Sequence, residues 1–195
     1  MIVAVEDALS LAVVKRLVDG IRPDLTITTV LPTSGRTYIE KKAVSLNQTA
    51  RKLPVLVVVD QDRPSPCPAE FIAGCLHGPI APYLLFRVAV MEIEAWILAD
   101  RHDFSAFLGV PIHRIPTMVD DIPHPKEFVV GLARLSRRKE IREDLVPQPG
   151  ATAAVGRAFN ARLIAYVSTA WDYRRAAEAS PSLRRASERL RNAFR

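Results

Sequence analysis

Val55-Leu56-Val57-Val58-Val59-Asp60-Gln61-Asp62 is the stretch that decides the fold. Five apolar residues, four of them valine, run without a break into two aspartates one residue apart. The run is short, β-branched and preceded by Pro54, which predicts a strand buried on both faces, as inside a parallel sheet. Alternate residues of a strand point the same way, with Cα atoms roughly 6.5–7 Å apart. An extended chain therefore sends both carboxylates off the carboxyl end of the strand together, where open α/β sheets bind their ligands. Acids are common in loops after strands, but two like charges this close repel unless a cation or a proton lies between them. Asp60-x-Asp62 is accordingly read as a metal or metal-phosphate element.

The flanking segments alternate in period. Residues 1–5 are apolar and end at Glu6-Asp7, a first strand closing on an acidic pair. Leu9, Ala12, Val13, Leu17 and Val18 then recur at helical spacing, with Asp7 as a candidate N-cap and Gly20 and Pro23 as stops. Residues 24–31 alternate and are rich in Thr, Ile and Val, predicting a second strand. Residues 37–52 predict a helix with Ile39, Ala43, Leu46 and Ala50 on one face. Beyond Asp62 come a proline-stiffened loop, a short helix over 69–76 and a fourth strand over 83–91, interrupted by Arg87. Glu92 opens a helix expected to reach Leu108. Strands alternating with helices over residues 1–108 predict a small parallel, doubly wound α/β sheet.

Residues 109–195 differ. Pro111, Pro116, Pro123 and Pro125 mark a crossing loop over 109–125, and helices are expected over 126–145, 155–167 and 182–194. Such a helical extension makes a thin core alone, so it is expected to pack on the sheet domain, with Trp171 and Tyr173 at the join.

A hydrophobic share of 49% with 25% charged residues excludes general disorder. The net charge of +6 and a pI near 9.7 permit nucleic-acid binding without requiring it. Arginines concentrate in 134–142 and in 174–195, two stretches suited to a phosphate backbone. Cys67 and Cys75 match no zinc spacing, and His77, His102, His113 and His124 form no ligand cluster with them. Two thiols behind an N-terminus without a basic leader predict a cytoplasmic protein. No apolar run approaches the roughly 20 residues of a membrane span.

Acids recur at equivalent places: Glu6 after strand one, Asp60 and Asp62 after strand three, Glu92 and Glu94 after strand four. In a parallel sheet these ends share one rim. Carboxylates without Cys or His make a hard-oxygen site suited to Mg²⁺ or Mn²⁺, ions that act on phosphate esters. Glu92 and Glu94 lie about 200° apart on a helix of 3.6 residues per turn, so only one can face a shared ion, and Glu94 is preferred. No P-loop, Gly-x-Gly-x-x-Gly or Gly-x-Ser-x-Gly element is present.

Glu6 followed by Asp60-x-Asp62 resembles the TOPRIM domain of topoisomerases, primases and OLD-type nucleases. Glu94-Ala95-Trp96, within Glu-Ile-Glu-Ala-Trp-Ile-Leu-Ala-Asp, is similar to a group of small TOPRIM-like bacterial proteins thought to work beside an ATPase in phage defence. The resemblance covers residues 1–108. Asp7 stands where the family has a glycine, and Arg63-Pro64 follows the Asp pair directly. The resemblance implies a metal-dependent nuclease, a hydrolase in which Glu6, Asp60 and Asp62 are catalytic. Glu6, Asp60, Asp62 and Glu94 would hold the metal. DNA is expected ahead of RNA as substrate, with an ATPase protein as partner; self-association stays open.

Lys41, Lys42, Lys126, Arg137 and Arg138 are the candidate nucleic-acid contacts. Lys126 is singled out because a cation at a helix start opposes the dipole. Two other readings remain: a non-catalytic partner subunit of an ATPase complex, and a flavodoxin-like phosphate- or nucleotide-binding module.

Overall fold

The computed structural model describes residues 1–61 and 67–194. Strands β1 (Ile2–Val5), β2 (Thr29–Val30), β3 (Val55–Asp60) and β4 (Leu84–Ala89) form one sheet in the order β2-β1-β3-β4, every neighbouring pair parallel. Helices α1 (Ala8–Ile21), α2 (Arg36–Thr49) and α3 (Pro68–Leu76) make the crossovers, and α4 (Ile93–Leu98) and α5 (Arg101–Leu108) follow β4. The C-terminal part holds α6 (Pro125–Arg134), α7 (Lys139–Leu145), α8 (Phe159–Thr169), α9 (Tyr173–Ala179) and α10 (Pro181–Asn192). The architecture is the small parallel α/β fold that the valine run predicts.

All six residues of β3 are buried. Val55, Val57 and Val59 meet Ala4, Phe86 and Val88 under α2 and α3 on one face. Leu56 and Val58 meet Val3, Val5 and Leu85 under α1 and the C-terminal helices on the other. Burial on both sides is why the run is continuously apolar instead of alternating. Each such side chain contributes about 1.5–3 kcal/mol relative to exposure. The chain steps from β1 outward to β2, then back across β1 to β3 and on to β4. Crossovers of one hand running in opposite directions put α1 on one face and α2 and α3 on the other. They also open a crevice between the carboxyl ends of β1 and β3.

The C-terminal helices cover the α1 face. Helix α8 packs on α1, and α10 packs on both α1 and β4. Trp171 and Tyr173 are buried at this join, but they reach the sheet through α1: the Tyr173 hydroxyl donates to the Gly20 carbonyl at 2.7 Å, and Arg16 Nε donates to that of Trp171 at 3.3 Å. Trp96, fully buried, donates from Nε1 to Ser182 Oγ at 2.7 Å and clips α4 to α10.

Several elements differ from the sequence pattern. The second strand is two residues instead of eight, because only Thr29–Val30 pairs with Ile2-Val3. The helix from Glu92 is broken at Asp100, and that over 126–145 is broken at Ser136. Helix α9 lies in a stretch with no expected element. Among the described residues no helix is long and apolar enough to cross a membrane.

Candidate active site

The crevice between β1 and β3 is closed by carboxylates. Glu6, one residue past β1, accepts a hydrogen bond at Oε1 from the Asp60 N–H at 2.8 Å. The two acids are 54 positions apart in sequence and meet because Val5 pairs with Val58. Glu6 is half-buried and Asp60 is 9% exposed. The next acid, Asp7, N-caps α1 by accepting from the Ser10 N–H at 2.8 Å. Over the same rim, the Gly35 N–H donates to the Glu6 carbonyl at 3.0 Å. Arg36, the first residue of α2, donates to the Gln61 carbonyl (3.0 Å) and to Glu40 (2.7 Å), and its guanidinium lies 4.5 Å from the Phe71 ring centre.

The β4 end supplies the second half. The turn after Ala89 contains Met91 at φ 64°, a left-handed conformation uncommon for a side chain of this size. It leads into Glu92, the extended N-cap of α4, and Glu94 in the first turn. Glu94 is fully buried, and among the described residues no hydrogen bond reaches either of its carboxylate oxygens. Lys126 Nζ stands 3.5 Å from Oε1. Glu92 accepts from the Lys126 backbone N–H at 2.6 Å. Both acids therefore meet Lys126, one at its backbone and one at its ammonium. The expectation that only one could face the site treated Glu92 as helical; it is the N-cap, so the angular argument does not apply to it.

Burial, opposed by Lys126, pushes the Glu94 carboxyl up to about 7. Burial pulls Lys126 down, but Glu94, Glu92, Asp60 and Asp7 together outweigh it and hold the ammonium above the usual lysine range. These four acids follow or end β1, β3 and β4, so one cation feels the carboxylates of three strand ends. A lysine in the first turn of α6, unfavourable toward the helix dipole, is offset there by acids from across the rim.

Asp62 and Arg63-Pro64 lie outside the described residues. Among the described residues no three His, Cys, Asp or Glu side chains are gathered as a group able to hold a metal ion. In donor chemistry the rim nevertheless fits a hard divalent cation: its ligating atoms are carboxylate oxygens, and the buried Glu94 carboxylate lacks a hydrogen-bond donor among the described residues.

Of the candidate nucleic-acid contacts, Lys126 alone meets these carboxylates. Lys41 and Lys42 are exposed on α2, roughly 8 Å along the helix axis from Arg36. Arg137 and Arg138 follow the far end of α6, roughly 15 Å from Lys126 along its axis. Arg138 packs over Gly109 and donates to the Phe107 carbonyl at 3.3 Å. Ser136, which has Ser-x-x-Lys spacing with Lys139, donates to the Leu108 carbonyl and accepts from the Arg138 N–H, while Lys139 pairs with Glu143. Arg36, Asp7 and Glu92 are rim residues left outside the expected site: on sequence alone Arg36 weighs more as a solvated face than as a phosphate contact, Asp7 reads as an N-cap, and Glu92 is set aside for Glu94. The signal for Arg36 was its place directly after the Pro32–Gly35 turn, at the same rim as Glu6. Comparison with family models, curated proteins and solved structures gives no match.

Proposed function

We propose that the chain is a Mg²⁺- or Mn²⁺-dependent nucleic-acid phosphodiesterase of TOPRIM-like type, with DNA as the preferred substrate. The observation that carries the reading is the meeting of Glu6 and Asp60 at the switch point, beside a buried Glu94 whose partner Lys126 also feels Asp60. Asp60, Glu6, Glu94 and Asp62 would hold the ion. When bound, such an ion orients the phosphate, acidifies an attacking water and neutralises developing charge. Glu6, oriented by the Asp60 N–H, would act as general base toward the attacking water. Lys126 would meet negative charge growing on a phosphoryl oxygen. A role beside an ATPase in phage defence rests on the family resemblance, and a cytoplasmic setting on the two thiols, Cys67 and Cys75.

The test incubates purified protein with plasmid and single-stranded DNA under Mg²⁺ and Mn²⁺. Cutting is expected, and Asp60→Ala should lower it by more than the 10–100-fold typical of a supporting partner. Absence of cutting with any divalent metal, alone and with the product of the adjacent gene, removes the enzyme reading.

One observation favours a non-catalytic partner subunit: the chain's own Lys126 already stands among the rim's carboxylates, where a metal would otherwise sit. That reading expects a stable complex with the ATPase that survives Asp60→Ala.

A further inference from the structure

Arg87 is the one charged residue of β4, the edge strand opposite β2. Phe86 and Val88 face α2 and α3, so Arg87 turns with Leu85 to the other face. There it borders a space lined by Val14 and Leu17 of α1 and by Ala186 and Leu190 of α10. The side chain is half-buried, and among the described residues its Nε has no hydrogen-bond partner. Its charged neighbours are Arg189 and Arg185 of α10. These stand four positions apart, so they share one helix face. Burial first, then Arg189 and Arg185, hold the Arg87 guanidinium below the usual arginine range.

Three like charges around a sunken donor repel one another, and burying an unpaired polar group costs free energy. An anion between them removes the repulsion and gives the rest of the Arg87 guanidinium a partner. The guanidinium fork matches phosphate oxygens in pairs. Helix α10 continues the cationic surface with Arg184 and Arg191 against Glu188 alone, which suits a polyanion over a single carboxylate.

We propose that Arg87, Arg185 and Arg189 form an oxyanion site that takes a phosphate of a nucleic-acid strand, separate from the carboxylate rim. The proposal rests on the reading that the chain acts on nucleic acid and says where the strand is held. The Arg87 backbone lies two residues before Ala89, roughly 7 Å below the rim. At 3.4 Å of rise per phosphate of one strand, that spans about two phosphates along the axis of a duplex. A strand crossing the carboxyl ends of β3 and β4 can thus reach both sites.

The test measures binding of a fluorescent 20-nucleotide duplex by anisotropy, in EDTA, over a salt series. Arg185→Gln/Arg189→Gln changes two exposed side chains. It is expected to weaken binding and to lower the slope of log affinity against log salt by about 1–2, at about 0.9 for each phosphate no longer neutralised. Arg87→Met keeps the stem's packing and is expected to weaken binding in the same direction. An unchanged slope in the double variant, or tighter binding of a polyglutamate of equal charge than of the duplex, overturns the site. Because EDTA removes any metal, the outcomes separate. Cutting with an unchanged slope sinks this site alone, and binding with the expected slope but no cutting under Mg²⁺ or Mn²⁺ sinks the nuclease reading alone.

Discussion

Glu94 is a carboxylate whose nearest counter-charge is a single lysine at 3.5 Å, and its protonation sets a pH dependence for the metal-free protein. Its ordinary value of 4.5 rises to about 7 on folding, first through burial. A group that holds its proton more tightly when folded contributes stability that is fully present below its unfolded value and lost as pH rises through the folded one. Parent stability should therefore fall between pH 4.5 and 7. Glu94→Gln should flatten that fall and exceed the parent at pH 8, by up to about 3 kcal/mol at 1.36 kcal/mol per unit. Melting temperatures in a chelating buffer check this, and identical pH profiles for the two proteins would refute it. Glu6, Asp60 and Glu94 were legible because each follows an apolar run, where topology fixes the rim. Lys126 was legible because a cation at a helix start is out of place. Glu92 was misjudged because its position was read as helical, and the turn at Met91 that makes it a cap has no local sequence signal.

At the scale of elements, the breaks in two long helical patterns carry interactions that periodicity conceals. In an unbroken helix Asp100 shares a face with Phe104 and Leu108, four and eight positions on, so periodicity alone shows no break there. Asp100 is 1% exposed and is the N-cap residue of α5. Its carboxylate accepts from the Tyr166 hydroxyl (3.2 Å), the Asp172 N–H (2.9 Å) and Arg175 Nε (3.1 Å), tying the α4–α5 break to α8 and α9. These partners lie 66–75 positions away, beyond the reach of any window-based reading. Asp100→Ala leaves the buried tyrosine hydroxyl and the Asp172 N–H without their acceptor, at about 1–3 kcal/mol for each orphaned group. A loss of at least about 2 kcal/mol is expected in denaturant unfolding, and a change under about 0.5 kcal/mol, within the range of ordinary surface substitutions, would show the junction to be dispensable. The strands, by contrast, were legible wherever both faces are buried. The short β2 was overextended because its alternating Thr and Ile residues satisfy the strand pattern without a neighbour to pair with beyond Thr29–Val30.

The whole molecule joins what composition divides at Leu108. Val3, Val5, Leu56, Val58 and Leu85 of the sheet share a single core with Leu163, Val167, Leu183 and Leu190 of α8 and α10. The candidate site is joined in the same way, since Glu6, Asp60 and Glu94 precede residue 108 and Lys126 follows it. The proline cluster over 109–125 made the division visible in sequence. The union was not visible, because contacts such as Trp96 to Ser182 span 86 positions and leave no pattern in either segment. A fragment of residues 1–108 keeps all four strands yet exposes the outer side of α1 and the α10 side of β4. It also strands the Trp96 indole, the Asp100 carboxylate and the Glu94 carboxylate without their partners. Its sheet would retain one covered face, and a domain of this size is already short of buried area. The fragment is expected to lack a cooperative thermal transition and near-ultraviolet circular dichroism, and to regain both when residues 109–195 are added as a separate chain. A monomeric fragment that melts sharply within a few degrees of the full protein would show that the helices decorate the sheet without completing it.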